Sequence, residues 1–158
     1  MSYSVVGIGL PRTGTTSLAA ALELLGYSGE HSCELNETRR LSKSKAIDMY
    51  LVDNSAYMRL AEVVKNNLGS KFILTDRCEK SWQESVSRFR AEFSQNISNY
   101  REECIGLFSD LNIKDQLLIL NVIDGSSEQS WASLCGFLGV AVPSVTFPSI
   151  DQNKEVVI

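Results

Sequence analysis

The chain has 158 residues, of which 44% are hydrophobic and 22% are charged, and its formal net charge is −4. This composition is that of an ordinary globular domain, and it excludes a disordered chain, a collagen-like repeat and a coiled coil. The acidic balance argues against a general nucleic-acid binder, no apolar run approaches the roughly 20 residues of a membrane span, and the N-terminus lacks a signal-peptide pattern. We therefore expect one cytoplasmic domain over residues 1–158, with neither nucleic acid nor membrane as a partner.

The first predicted unit is a strand, a glycine loop and a helix. Ser4–Ile8 is a short apolar run typical of a buried strand, and Gly9–Gly14 forms the loop that follows it. One apolar helix face is then formed by Leu18, Ala21, Leu22 and Leu25. Gly26 is a natural end for this helix.

The rest of the chain continues to alternate strands and helices. A short strand is expected within 27–33, and the polar stretch 34–45 is expected to be a surface loop or a weak helix. The further predicted helices lie around 57–68, 82–93 and 131–138, and the further strands at 72–75 and 117–122, the last fully buried. This alternation predicts an α/β three-layer sandwich with a parallel sheet of four to five strands.

The four cysteines share no CxxC spacing; they are Cys33, Cys78, Cys104 and Cys135. Free thiols in a reducing compartment are the expected state. Since His31 is the only histidine and the cysteines are scattered, the sequence predicts no metal site.

The most informative motif is Gly9-Leu10-Pro11-Arg12-Thr13-Gly14-Thr15-Thr16, which has the spacing G-x-x-x-x-G-x-T between a predicted strand and a predicted helix. In that context, backbone N–H groups of the loop and of the helix N-terminus converge on an anion. The segment therefore predicts a P-loop NTPase-like fold with a phosphate site, to which the loop hydroxyls and Arg12 contribute. The alternative is a turn that caps a helix without binding a ligand. Thr15 stands where nucleoside triphosphatases carry a lysine.

The segment Pro11–Leu18 resembles the 5′-phosphosulfate loop of sulfotransferases that use 3′-phosphoadenosine 5′-phosphosulfate, in the subgroup with Pro-Arg-Thr-Gly-Thr-Thr. A second segment resembles the family's 3′-phosphate site, in which an arginine ends a strand and a serine follows on the next helix; here these are Arg77 and Ser85. The segments 117–124, 131–139 and 143–148 are similar to the family's terminal strand, its helix ending in Phe-Leu-Gly, and its Phe-Pro tail.

This resemblance implies transfer of a sulfuryl group to a hydroxyl or amine of a small-molecule or glycan acceptor, with release of adenosine 3′,5′-bisphosphate and without a metal. The implied donor-binding residues are Pro11, Arg12, Thr13, Gly14, Thr15, Thr16 and Ser17 at the phosphosulfate, and Arg77 and Ser85 at the 3′-phosphate. Arg12 would also stabilise charge on the transferred group and the leaving phosphate.

Two residues are candidates for the catalytic base. His31 lies where relatives with the same loop often place a histidine, and its alternative role is structural. Asp53 lies where relatives show Asp-Ser/Thr-Pro, here Asp53-Asn54-Ser55, and its alternative role is that of a helix-capping carboxylate. Glu30 is a weaker candidate.

Two other functions remain open. A non-catalytic nucleotide-binding module is favoured by the short chain, because the missing length falls between the predicted helix at 82–93 and the strand at 117–122, a region that usually helps to enclose the acceptor. A small nucleotide kinase is disfavoured by Thr15 at the lysine position. An open acceptor side also makes a homodimer an expectation.

Overall fold

The structure, a computed structural model, describes residues 3–32, 38–40, 49–88 and 96–149. The strands are β1 (Val5–Gly7), β2 (Ser28–Ser32), β3 (Thr38–Arg40), β4 (Met49–Asp53), β5 (Lys71–Thr75) and β6 (Leu117–Leu120). The α-helices are α1 (Thr15–Leu24), α2 (Leu60–Lys65), α3 (Glu79–Arg88), α4 (Ile97–Asp110) and α5 (Ser127–Leu138). Short 3-10 helices at Ala56–Arg59 and Lys114–Gln116 precede α2 and β6.

One six-stranded sheet connects these elements in the order β3-β2-β4-β1-β5-β6. All neighbouring strands from β2 to β6 pair in parallel, and β3 pairs with β2 in the antiparallel sense. The predicted parallel sheet of four to five strands is therefore confirmed with five, and β3 is an addition to it. The carboxyl ends of the five parallel strands lie along one side of the sheet, which we call the carboxyl edge.

Helices cover both faces of the sheet because successive strand residues point to opposite sides. Val5 and Ile73 pack in one buried cluster with residues of α1 and α5. Val6 and Phe72 pack in a second cluster with residues of α2, α3 and α4. The predicted three-layer sandwich is thereby confirmed, with α1 and α5 on one face and the other helices opposite.

Several predicted elements are confirmed and others need correction. Gly26, two residues after α1, and Gly139, directly after α5, take left-handed backbone conformations with φ of 97° and 72°, as expected at helix ends. Within the stretch 34–45, residues 38–40 form strand β3 rather than a loop or helix. The prediction that 117–122 is fully buried was wrong: β6 is an edge strand, and Ile119 is 39% exposed.

Two elements were not predicted. Strand β4 follows a polar stretch and ends in Asp53, so its apolar pattern is only five residues long. Helix α4 is amphipathic through a narrow stripe of buried residues, namely Ile97, Tyr100, Cys104 and Phe108. Its start is stabilised by Asn96, whose side-chain oxygen accepts hydrogen bonds from the N–H groups of Ser98 and Asn99.

None of the helices in the described ranges combines the length and hydrophobicity that crossing a bilayer requires. Cys33 lies outside the described residues.

Candidate functional site

The glycine loop joins β1 to α1 at the carboxyl edge and reverses direction through two left-handed residues. Arg12 has φ 69° and Gly14 has φ 90°. Gly14 adopts this conformation without penalty, whereas at Arg12 it costs about 1–2 kcal/mol. Gly14 directly precedes α1 and no side chain caps this helix, so backbone N–H groups of the first turn at Thr15–Ser17 face the loop.

Glycine is required at two positions of the loop because other segments of the protein lie very close to its backbone there. A Cβ atom at Gly9 would collide with the hydroxyl oxygen of Thr75, at the end of β5. A Cβ atom at Gly14 would collide with the side chain of Val122, which follows β6. The loop is thus packed against the ends of β5 and β6, and its backbone path is fixed by both.

The hydroxyl of Thr13 supports the loop from inside. Thr13 is fully buried, and its Oγ1 donates to the carbonyl oxygen of Leu10 at 2.6 Å. The Oγ1 atom of Thr75 lies 2.6 Å from the same hydroxyl and can donate to it. Thr15 and Ser17 are also buried, while Thr16 is half-buried. The loop hydroxyls were predicted to contribute to a phosphate site. Among them, the hydroxyl of Thr13 holds the loop to β5.

Hydrogen bonds hold two arginine side chains beside this loop. Nη1 of Arg77 donates to the carbonyl oxygen of Arg12 at 2.9 Å. Nε of Arg12 donates to Oγ of the fully buried Ser85 at 3.0 Å. The structure thus brings together Arg12, Arg77 and Ser85, which the sequence placed in two separate anion subsites.

Ser81 is a site residue that the sequence analysis missed. Nε of Arg77 donates to Oγ of Ser81 at 2.7 Å, so Arg77 pairs with Ser81 while Ser85 pairs with Arg12. Ser81 and Ser85 lie four residues apart on α3 and therefore on the same helix face. That spacing is visible in the sequence and places Ser81 on the face of Ser85, but the choice of Ser81 by Arg77 depends on how α3 packs.

Trp82 fixes the start of the loop from the same helix. It is 4% exposed, and its Nε1 donates to the carbonyl oxygen of the buried Pro11 at 2.9 Å. Trp82 is accordingly a core residue that supports the loop.

Helix α4 is attached to two strand ends at the carboxyl edge. The hydroxyl of Tyr100 donates to the carbonyl oxygen of Ile8 at 2.6 Å, directly after β1. Nε and Nη2 of Arg101 donate to the two carboxylate oxygens of Asp76, each at 2.8 Å, directly after β5. These hydrogen bonds to Asp76 raise the pKa of Arg101 further above its usual range.

The segment after β6 is held to the segment after β5 through Asp124. Its Oδ2 accepts hydrogen bonds from the backbone N–H of Cys78 at 3.0 Å and from Nδ2 of Asn121 at 2.8 Å. These hydrogen bonds lower the pKa of Asp124, and the positive charge of Arg77 adds to the effect. The backbone next to Arg77 is thereby fixed.

The two candidate bases lie on the other side of the glycine loop and on opposite faces of the sheet. His31 pairs in register with Val52, so its side chain shares the face that α1 covers. Asp53 follows Val52 and therefore points to the opposite face. His31 is 7% exposed and Asp53 is 5% exposed.

Asp53 is occupied by local contacts. Its Oδ1 accepts hydrogen bonds from the backbone N–H and the hydroxyl of Ser55, at 2.9 and 2.7 Å, and its Oδ2 lies 3.8 Å from Nη2 of Arg59. These contacts hold the turn that leads into the first 3-10 helix, a role close to the capping alternative considered for this carboxylate.

The sheet order therefore arranges the site in three parts. Arg77, after β5, lies on one side of the glycine loop, and His31 and Asp53, on β2 and β4, lie on the other. Across the described ranges, no group of three or more histidine, cysteine, aspartate or glutamate residues is arranged to hold a metal ion.

A family model described as a sulfotransferase domain matches residues 4–110 of the chain, and a second, overlapping match covers residues 88–156. A search of curated proteins gave no significant match.

Proposed function

This chain belongs to the sulfotransferase domain family, and from that premise we propose that it transfers a sulfuryl group from 3′-phosphoadenosine 5′-phosphosulfate to a hydroxyl or amine of a small-molecule or glycan acceptor. The family makes the chain a transferase. The observation that carries the finer proposal is the contact of Arg77 with the Arg12 carbonyl, which places two guanidinium groups beside one glycine loop. The donor has two anionic ends and needs such a pair of cations.

The chemical groups of these residues are suited to an anionic donor. Backbone N–H groups at Thr15–Ser17 and the guanidinium of Arg12 would hold the phosphosulfate, as anions are held at other helix N-termini. Arg77 would hold the 3′-phosphate, for which a guanidinium is suited because its donors form a planar fork. Ser85 lies against Arg12 and so would couple the two ends of the site.

The transfer needs an acceptor oxygen or nitrogen in line with the bond that breaks. The acceptor forms a bond to sulfur as the bond from sulfur to the bridging phosphate oxygen breaks, and the negative charge passes to the released adenosine 3′,5′-bisphosphate. Arg12 would stabilise that charge by hydrogen bonds and electrostatic attraction. An arginine does not readily give up a proton, so protonation of the leaving phosphate is not part of its role.

We assign the proton-accepting role to His31 rather than to Asp53. His31 shares the sheet face of α1, whose N-terminus adjoins the loop. Strand β4 alone separates β2 from β1, so His31 lies about 10 Å from β1 across the sheet, a gap that an acceptor can span. Asp53 points to the other face and is occupied by Ser55 and Arg59.

A non-catalytic nucleotide-binding module is the second candidate. The burial of His31 favours it, because a base must be reached by the acceptor. We assign the proposed activity to a single domain over residues 1–158. We also propose that a second copy of the chain closes the acceptor side.

The test compares two nucleotides and two arginine variants. Adenosine 3′,5′-bisphosphate at 100 times its dissociation constant should stabilise the fold by about 2.7 kcal/mol, and AMP by much less, as measured by thermal denaturation. Arg77→Ala should remove this discrimination. The matched control is Arg88→Ala. Arg88 is an exposed arginine at the end of α3, and none of the hydrogen bonds described joins it to the loop or to Arg77. Equal stabilisation by both nucleotides would overturn the 3′-phosphate assignment.

Turnover then separates an enzyme from a binding module. With a panel of hydroxyl and amine acceptors, release of adenosine 3′,5′-bisphosphate should depend on the acceptor. Arg12→Ala should lower kcat about 10²–10³-fold while retaining most nucleotide affinity, as with other electrostatic donors in active sites. Nucleotide binding without turnover of any acceptor would favour the module.

A further inference from the structure

A carboxylate stands directly beside the proposed anion site. Asp76 separates β5 from Arg77, and its backbone N–H donates to the carbonyl oxygen of Leu120 at 2.9 Å, which continues the pairing of β5 with β6. Its side chain is 16% exposed. An unpaired negative charge at this place would repel an anionic nucleotide bound to Arg77, since the effective dielectric at a half-buried site is well below that of water.

Arg101 neutralises this carboxylate from α4. Two of its nitrogens donate to the two oxygens of Asp76, each at 2.8 Å, in a bidentate pair whose arginine is 29% exposed. The hydroxyl of the preceding residue, Tyr100, donates to the carbonyl oxygen of Ile8 and so holds this turn of α4 at the carboxyl edge. The geometry of the pair is therefore imposed by the fold on both sides.

The remaining carboxylates near this point are also engaged. Asp124 accepts hydrogen bonds from Cys78 and Asn121. Glu79 accepts hydrogen bonds through its Oε1 from the side chains of Asn96 and Ser98, at 2.5 and 3.5 Å. Arg101 is therefore the cation that is paired with Asp76.

We propose that Arg101 is a positioning residue for donor binding: by cancelling the charge of Asp76, it keeps the electrostatic potential beside Arg12 and Arg77 favourable to an anionic nucleotide. This inference rests on the proposed function for the identity of that nucleotide. It makes α4 part of the site electrostatically, although α4 lies outside the loop and the β5 segment that hold the ligand.

The test separates a charge effect from a structural one by comparing four variants. Arg101→Gln leaves Asp76 unpaired, Asp76→Asn removes the carboxylate, the double variant removes both charges, and Arg101→Lys retains the positive charge. Lys114→Gln is the matched control, because it removes one positive charge from an exposed residue just before β6. Lys114 therefore lies at the amino ends of the strands, away from the carboxyl edge. Calorimetry measures the affinity for adenosine 3′,5′-bisphosphate and for inorganic pyrophosphate, and thermal denaturation without ligand measures stability.

Arg101→Gln should weaken nucleotide binding about fivefold, the effect of one unit charge at roughly 8 Å in an intermediate dielectric. Arg101→Lys and Lys114→Gln should bind within about twofold of the parent. Asp76→Asn, which leaves the positive charge of Arg101 uncompensated, should bind at least as tightly as the parent, and the double variant should recover most of the affinity lost in Arg101→Gln. The loss in Arg101→Gln should shrink at high salt.

Equal losses in Arg101→Gln, Asp76→Asn and the double variant, in step with their melting temperatures, would overturn the inference in favour of a structural pair. The same charge pattern with pyrophosphate, in a parent that does not bind the nucleotide, would support the inference and reject the proposed donor. A parent that binds neither probe would overturn the inference, because there would be no anion site for Arg101 to serve.

Discussion

At the scale of single residues, His31 and Asp53 differ in the face of the sheet on which they lie and in the contacts described for them. The carboxylate of Asp53 is bonded to Ser55 and lies near Arg59, so its removal disturbs a turn. His31 lies one residue before the end of β2, on the face of the sheet that α1 covers. His31 and Asp53 lie near each other along the carboxyl edge, but because side chains alternate along a strand, they point to opposite faces of the sheet.

We therefore expect His31→Asn to lower kcat by about 10²–10⁴-fold, as loss of a general base does, with nucleotide affinity unchanged. Asp53→Asn should instead cost roughly 1 kcal/mol of stability and change the rate little, because it weakens a capping interaction. Turnover, nucleotide titration and urea denaturation of both variants provide the comparison. The reverse pattern, an inactive Asp53→Asn and an active His31→Asn, would transfer the role of base to Asp53.

Asp124 leads to a pH prediction. Hydrogen bonds from Cys78 and Asn121 lower its pKa in the folded state, so it adds stability above its ordinary pKa of about 3.9 and loses that contribution as the pH falls toward the lowered value. Asp124→Ala should destabilise the protein at pH 7 by less than about 1 kcal/mol, because the carboxylate is exposed. In urea denaturation at pH 7 and at pH 3, the difference from the parent should shrink at the lower pH. A difference that stays constant would show that the charge of Asp124 contributes nothing.

At the scale of elements, α4 depends on one buried hydrogen bond to the start of the glycine loop. Tyr100 is 1% exposed, and its hydroxyl donates to the carbonyl oxygen of Ile8. Tyr100→Phe leaves this buried carbonyl without its donor and should lower the free energy of unfolding by about 1–3 kcal/mol, with an unchanged denaturant m-value. Urea denaturation measures both quantities. A stability loss below about 0.5 kcal/mol would mean that apolar packing and the Arg101–Asp76 pair hold α4 without help from this hydrogen bond.

The elements that could be predicted from the sequence are those whose signal is local. The strand, glycine loop and helix around Gly9–Gly14 were predicted correctly because loop residues and apolar spacing lie within a few positions of one another. Strand β4 and helix α4 were missed because each shows a short or narrow apolar pattern and is stabilised by distant neighbours. The pairings of Arg77 with Ser81 and of Arg101 with Asp76 depend on how α3 and α4 pack on the sheet, which no local pattern specifies.

At the scale of the whole molecule, the two buried clusters share the same strands. Neighbouring residues such as Val5 and Val6, or Phe72 and Ile73, belong to opposite clusters, so neither layer of helices can lose its sheet contacts without affecting the other. Each cluster also contains one tryptophan: Trp82 lies in the cluster of α2, α3 and α4, and Trp131 lies in the cluster of α1 and α5.

The two faces should therefore unfold together, and the two tryptophans can test this. In Trp82→Phe the fluorescence reports on Trp131, and in Trp131→Phe it reports on Trp82, since the chain has two tryptophans. Within each variant, the urea midpoints from fluorescence and from far-UV circular dichroism should coincide, as expected of a two-state domain. Separate midpoints in either variant would show that one helix layer detaches before the sheet unfolds.

The arginines at the carboxyl edge also bear on how fast an anion is captured. The chain as a whole is acidic, with a formal net charge of −4, so at long range it repels a nucleotide. Arg12 and Arg77 concentrate the opposite sign at one edge, where Arg101 offsets the charge of Asp76, and a local field of this kind guides diffusing anions toward the loop over distances of about one Debye length. Dilute salt should thus speed the encounter while leaving the lifetime of the complex, which depends on short hydrogen bonds, nearly unchanged.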